Sequence, residues 1–330
     1  MITDVGGVLV GHHERVGDGW ASGTTVVLVP EGAVGAVDQR GGAPGTRETN
    51  LLEPENLVQR LNAVCLSGGS AYGLAAADGV MRWLSERNLG FPVGQQPHEV
   101  VPIVPAAVLF DLPRSDWGNR PDAAFGYAAC EAAVSGPVVQ GTVGAGAGAA
   151  VGSLKGGIGS ASEVVGEFTV GALAAVNAAG EAVDLSTGRA YAADHEVGGE
   201  FGVRWPSRPG ELPSQRTDLN TTIGVIAVDA ALSKAEARRL AVAAQDGLAR
   251  AVRPAHTMFD GDTVFALATG ARELPAVGGP FGAVARAGAL DALCSAAARV
   301  FARAMVHGLL SATTAGGVPA YRDVWPEAFE

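Results

Sequence analysis

Positive charge, aromatic surface and cysteine are all scarce in this 330-residue chain. Lysine and arginine total 23 against 34 aspartates and glutamates, a formal net charge of −11. Nucleic-acid binding draws on clustered basic side chains set against phosphates, and an anionic membrane surface attracts the same, so this balance argues against both. Aromatics make up 6% of residues, too few for a platform on which unpaired bases stack. Cys65, Cys130 and Cys294 lie in separate apolar contexts without a Cys-x-x-Cys pair, and read as small buried hydrophobes in a reducing compartment. The six histidines form no His-Glu-x-x-His, so a metal site is not expected. The N-terminal stretch has no basic region followed by a long apolar one. The longest apolar run, residues 100–110, is too short for a bilayer and carries two prolines. A soluble, cytoplasmic protein is the expectation.

What the chain does have is apolar mass and glycine. At 48% hydrophobic residues it holds ample material for a core. Its 47 glycines are dispersed without a Gly-X-Y period and read as tight turns and close backbone packing. Residues 24–37 predict a β-hairpin turning at Pro30, Glu31 and Gly32. Residues 63–66 predict a buried strand, followed by a helix capped by Ser67 or Ser70 with Trp83 on its apolar side. A strand is expected over 100–110, a helix over 121–134, and two strands around an Asn-Ala-Ala-Gly turn over 168–184. Residues 191–218 are polar and aperiodic, with Pro and Gly, and read as a loose surface segment. A strand over 221–228 follows. Then come a helix opened by the capping box of Ser233 and Glu236 and running to about Ala251, a turn into another strand, and an Ala-rich helix over 285–310. Strands and helices do not alternate strictly, which predicts α/β layers with a large antiparallel component.

Several catalytic patterns fail on inspection. The glycine-dense stretch 141–162 lacks the third glycine of a dinucleotide fingerprint: Ala149 or Val151 stands there, depending on register. It has no phosphate-loop Gly-Lys pair, because Leu154 precedes Lys155. Residues 68–72 miss a nucleophile elbow because Tyr72 stands where glycine is required. There remains Thr221, directly after Asn220. A threonine hydroxyl is a weak nucleophile unless a base takes its proton. An N-terminal threonine carries its own base, an α-amino group with a pKa of about 8. The hydroxyl can free that terminus by attacking the Asn220 carbonyl, giving an ester that water opens. The rival readings of Thr221 are a β-branched strand starter and, through Asn220-Thr221-Thr222, a glycosylation acceptor.

Seven blocks in order carry a resemblance to a known family. They are "ITDVGGVLVGHHE" (2–14), "GTTVVLVPEGAVGAVDQRGGAPGTRET" (23–49), "CLSGGSAYGLAAADGV" (65–80), "VGAGAGAAVGSLKGGIGSAS" (143–162), "AAVNAAGEAVD" (174–184), "NTTIGVIAVDA" (220–230) and "FDGDTVFALAT" (259–269). The chain resembles the P1 family of N-terminal-nucleophile peptidases: the DmpA-type L-aminopeptidase/D-esterases, β-aminopeptidases and nylon-oligomer hydrolases. The resemblance implies an αββα sandwich of the DmpA/ornithine acetyltransferase type, with mixed sheets flanked by helices. It implies one domain over residues 1–330 that cuts itself into 1–220 and 221–330, the pieces staying together in a homotetramer.

Thr221 then matches the nucleophile and Asn177 the asparagine that holds the oxyanion. Asp260 and Asp262 match a pair that orients the freed terminus, and on a strand such i, i+2 side chains share a face. Lys155, with Ser153 as a competing match, falls where a lysine contacts the nucleophile to stabilise charge or tune the α-amine. Thr142 stands where many relatives carry Asn. The implied partners are small amides, esters or short peptides with a free amino end, cleaved without metal or cofactor. 6-Aminohexanoate oligomers are an alternative substrate. Acyl transfer of the ornithine acetyltransferase kind is an alternative reaction, and a non-catalytic peptide-binding scaffold is the alternative without chemistry.

Overall fold

The computed structural model describes residues 1–212, 219–275 and 281–330. The strands are β1 (Leu9–Gly17), β2 (Trp20–Gln39), β3 (Thr46–Arg47), β4 (Arg60–Ser67), β5 (Phe91–Pro92), β6 (Val100–Val101), β7 (Ala106–Val108), β8 (Ala150–Val151), β9 (Leu154–Lys155), β10 (Ile158–Val165), β11 (Phe168–Ala175), β12 (Ile223–Ala231) and β13 (Thr263–Glu273). The helices are α1 (Ala76–Ser85), α2 (Ala123–Glu131), α3 (Lys234–Ala251), α4 (Gly282–Ser311) and α5 (Tyr321–Val324). Hydrogen bonds link the main strands in the order β10-β11-β12-β13-β2-β4-β7-β3, with β1 also on β2. The β12–β13 and β4–β7 pairs are parallel and the other pairs antiparallel.

Strand alternation sorts this order into layers, because successive side chains point to opposite faces. On β12, Ile223, Val225 and Ala227 enter one core, while Ile226 and Val228 enter another. On β13, Phe265 and Leu267 join the first, and Val264, Ala266 and Ala268 the second. On β4, Val64 and Leu66 share the first core with β12 and β13, whereas Ala63 and Cys65 face a third with Ala76, Val80 and Leu84 of α1. The cores therefore lie between α3/α4 and one sheet layer, between the two sheet layers, and between the other layer and α1/α2. This is the expected αββα arrangement.

The layers are joined by β2, where the structure corrects the predicted hairpin. Residues 20–39 form one strand. Leu28 pairs with Ala63 and Ala33 with Leu61, so the residues between them bulge out without reversing the chain. Gly32 takes φ +76° there, a conformation suited to glycine. Both flanks keep the same neighbour, β4, while the other edge changes from β1 to β13.

Other expectations also shift. No second strand follows the Asn177 turn: β11 pairs with β10 and β12, and Glu181 and Val183 make isolated bridges to Arg253 and Ala190. Residues 100–110 contribute only β6 and β7, since Pro102 and Pro105 have no N–H for a ladder. Neither Ser67 nor Ser70 caps a helix. A 3₁₀ turn over Ser70–Ala75 leads into α1, and Ser67 Oγ is paired with Thr24 Oγ1 at 2.9 Å.

Residues 191–212 carry one 3₁₀ turn, Ala193–His195, and are not the loose surface segment expected: Ala193 and Phe201 are buried in the core, and the backbone is tied down. Arg204 N–H donates to Ala328 O at 2.8 Å, and Trp325 Nε1–H to Arg208 O at 3.2 Å. The rest of the predicted loose segment up to 218 lies outside the described residues. Helix α3 carries its capping box and ends at Ala251. Helix α4 is long and apolar enough to cross a membrane by length and composition, but here Leu293, Val300, Phe301 and Met305 are buried in the core it shares with the sheet.

Candidate active site

The site grows from the parallel β12–β13 pair. Its ladder extends one step before the strands begin: Thr263 N–H donates to Thr222 O and Asn220 N–H to Phe259 O, each at 3.0 Å. This register sets Gly261 beside Thr221, and Gly261 N–H donates to Thr221 Oγ1 at 3.1 Å. The Thr221 hydroxyl in turn donates to the carbonyl oxygen of Asn220, the residue it follows. Glycine is required at 261 because a Cβ there would stand 2.2 Å from Ala43 O.

The two aspartates flank this contact, though not as strand neighbours. β13 starts at Thr263, so Asp260 and Asp262 precede it and the shared-face argument does not apply. Asp260 Oδ1 accepts Ala179 N–H at 3.0 Å, and its Oδ2 accepts Thr257 N–H and Oγ1–H at 2.9 and 2.6 Å. Asp262 Oδ1 accepts Thr222 N–H at 2.8 Å, and its Oδ2 pairs with His256 Nδ1 at 2.8 Å. Burial, reinforced by the neighbouring Asp260 charge, holds the Asp262 carboxyl above its ordinary range. Asp262 therefore grips the residue after Thr221.

Asn177 is fully buried at the end of β11. Its backbone carbonyl accepts Thr222 Oγ1–H at 3.1 Å, which places it beside the threonine pair. Its Oδ1 accepts Ala150 N–H at 2.9 Å. That bond fixes the amide's orientation and leaves Nδ2 a buried donor without a partner. Such a group costs about 1–3 kcal/mol and calls for a reason.

Lys155 is also buried, 1% exposed, and its ammonium donates to Gly146 O and Gly156 O at 2.8 and 2.7 Å. Burial pushes its pKa down to about 7, against the opposing pull of the Asp111 charge. Ser153 is engaged elsewhere: its N–H and Oγ–H both bond the Glu181 carboxylate. Thr142 Oγ1 donates to Thr313 O at 2.9 Å.

A cleft of about 60 Å³ opens against Thr221, walled by Ser70, Val108, Phe110, Asn220 and Phe259. Gly261, Thr222 and His256 escaped the sequence reading: Gly261 hides in an Asp-Gly-Asp turn, Thr222 behind its neighbour, and His256 six residues before the carboxylate it pairs with.

Similarity to known proteins follows this geometry. Peptidase family S58 matches residues 1–322. An uncharacterized aminopeptidase of Mycobacterium tuberculosis is 54% identical over 347 aligned positions, covering 99% of this chain and 98% of its own. A 6-aminohexanoate-oligomer endohydrolase of Kocuria sp. is 32% identical, covering 84% of this chain and 77% of its own. Among solved structures, a Burkholderia sp. beta-aminopeptidase matches with a TM-score of 0.70 at 25% identity, over 99% of this chain and 93% of its own. The L-aminopeptidase D-Ala-esterase/amidase of Ochrobactrum anthropi, a variant of the Ntn hydrolase fold, matches with a TM-score of 0.71 at 22% identity, over the same shares. Because the family match runs through every segment that contributes to the Thr221 cleft, on a fold shared with solved aminopeptidases, this chain belongs to peptidase family S58, the DmpA family, and is a hydrolase.

Proposed function

We propose that the chain is a self-processing N-terminal-nucleophile aminopeptidase and amidase, with Thr221 as its nucleophile. The observation that carries this reading is the double contact of Thr221 Oγ1, which donates to the Asn220 carbonyl and accepts from Gly261 N–H. The hydroxyl thus touches the peptide group it must attack. Attack forms an ester between Oγ1 and the Asn220 acyl group, and the former amide nitrogen becomes the α-amine of Thr221. Water opens the ester, leaving residues 1–220 and 221–330.

The same hydroxyl then attacks substrate. The α-amine, with a pKa of about 8, takes its proton. The buried Asn177 Nδ2–H₂ supplies a donor that does not titrate, suited to the tetrahedral oxyanion. Asp260 and Asp262 hold the backbone around the new terminus, and Lys155 adds a buried charge to the site. The leaving amine takes the proton back, and water releases the acyl group. Substrates are small amides, esters or short peptides with a free amino end.

The intact mass of the purified protein, with Thr221→Ala beside it, tests the reading. Scaled from 33.2 kDa, the pieces are expected at about 22 and 11 kDa, the smaller beginning at Thr221. A single uncut chain in active protein removes it. Acetyl transfer from acetylornithine to glutamate, in place of hydrolysis, would reassign the reaction. A homotetramer of cut units belongs to the same reading, and light scattering that gives a monomer removes that part.

A second reading of the substrate is a 6-aminohexanoate oligomer. It is favoured by the Kocuria relative and by the apolar wall of Val108, Phe110 and Phe259, which suits a methylene chain. Turnover of the 6-aminohexanoate dimer against α-aminoacyl amides separates the two.

A further inference from the structure

We propose that Asp111 is a positioning residue of this site: its carboxylate ties the Gly69–Ser70 wall of the Thr221 cleft to the wall at Val108–Phe110 and holds the buried Lys155 in its charged form. The inference rests on the reading of Thr221 and Lys155 given above.

Asp111 directly follows the residues that line one side of the cleft and is 1% exposed. Its Oδ1 accepts Gly69 N–H at 2.7 Å, and its Oδ2 accepts Ser22 Oγ–H at 2.7 Å. The next N–H along, that of Ser70, donates to Leu109 O at 3.0 Å. Two consecutive residues of one wall are thereby bonded to the other. They need the tether, because Gly69 and Ser70 lie at φ +84° and +52°, and the second conformation is uncommon for a residue with a side chain. The fit allows nothing larger around the carboxylate. A Cβ on Gly68 would stand 2.2 Å from Oδ2, and one on Gly148 would stand 2.7 Å from it.

Gly148 also links this carboxylate to Lys155. It lies two residues after Gly146, whose carbonyl accepts the Lys155 ammonium. Among the described residues the ammonium is bonded to two neutral carbonyls and to no carboxylate. Asp111 is the anion that favours its charged form, while Arg114, on the turn that follows Asp111, opposes it. The two pKa values move toward each other, Asp111 up to about 6 and Lys155 down to about 7, chiefly through burial. The Asp111 charge thus works against the burial that favours the neutral lysine.

The sequence offers a clean readout, because Lys155 and Lys234 are its only lysines. Protein labelled with ¹³Cε-lysine gives two side-chain signals, and each is followed against pH in Thr221→Ala and in Thr221→Ala/Asp111→Asn. Neither needs to cut itself or turn over, so failure of the nucleophile assignment leaves this test intact. The expected result is a Lys155 midpoint lowered by about 1 unit or more in the Asp111→Asn protein, with Lys234 unmoved. An unchanged Lys155 midpoint in folded protein overturns the proposal. Should Asp111→Asn fail to fold, Asp111→Asn/Lys155→Met is compared with it. Recovery of folding in the doubly neutral protein supports the charge pairing, and equal failure reduces Asp111 to a packing residue. In the otherwise wild-type enzyme, Asp111→Asn is expected to lower kcat with little change in KM and to move the pH profile in the same direction as the Lys155 midpoint.

Discussion

Asp262 Oδ1 accepts the backbone N–H of Thr222 at 2.8 Å, across 40 residues of chain. The carboxylate so oriented grips Thr222, the residue after Thr221, rather than Thr221 itself. A cut at Asn220–Thr221 therefore leaves the new terminus anchored from its C-terminal side. The Thr222 hydroxyl bonded to Asn177 O adds a second anchor. In the proposed mechanism, these anchors would hold Thr221 in place through both its own cleavage and the reaction with substrate.

Replacing Thr221 by alanine removes the attacking oxygen and should leave one uncut chain with hydrolysis reduced by at least about 10³-fold. Thr221→Ser keeps the oxygen, so cutting and turnover should both survive. Intact mass and initial rates on an aminoacyl amide check the pair.

Asn177→Ala deletes the unpartnered donor and should lower kcat by about 10²–10³-fold, with KM changed far less, because the donor acts on charge that develops only in the transition state. Steady-state kinetics on fully cut protein read this, and an unchanged kcat would move the oxyanion role elsewhere.

Gly261→Ala forces a methyl group against the backbone of Ala43 and Pro44. The turn must shift, at a cost of about 1–3 kcal/mol, and the N–H that faces Thr221 Oγ1 shifts with it. A lowered thermal midpoint together with slower self-cutting is expected. Wild-type values for both would show that the turn has slack.

The buried acid and base set opposite pH slopes on stability. Asp111 titrates at about 6 in the fold, above its unfolded value of about 4. The folded state alone binds that proton between these values, so stability falls as pH rises from about 4 to about 6. Lys155 titrates at about 7 in the fold, well below its unfolded value of about 10.4. The unfolded state alone binds that proton, so stability rises as pH climbs above about 7. Urea midpoints measured from pH 5 to 9 should show the upturn in wild-type protein and lose it in Lys155→Met.

Much of the fold was legible because local chemistry declared it. Ser233 and Glu236 announced α3, and the β-branched run after Thr222 announced β12. The hairpin over 24–37 was misread because Pro-Glu-Gly turns and Pro-Glu-Gly bulges look alike in sequence. Only the shared neighbour β4 keeps the chain moving forward. Asn177 was placed on the correct turn, but the second strand after it had no edge to join, since β11 is already paired on both sides. Lys155 and Ser153 could not be ranked by sequence, being two residues apart in a glycine-rich stretch. Both are buried in the fold and differ in their partners, Lys155 with its ammonium on two carbonyls and Ser153 with its hydroxyl on Glu181.

By itself the sequence determined which chemistries were open. Its acidity, its sparse aromatics and its failed phosphate loops narrowed the classes, and its ordered blocks pointed to a family with a threonine between two chain pieces. Those are properties of residue type and order, and they survive without coordinates. The tertiary structure alone decided who touches the threonine. Asn220 and Gly261 meet the Thr221 hydroxyl, and Asp262 and Asn177 hold Thr222 beside it, through a parallel strand register and a packed sheet layer. Asp111 reaches its partners because two glycines leave room for a carboxylate. Such contacts join residues far apart in the chain, and the register and close packing that create them are set by the whole core at once, so no local stretch of sequence displays them.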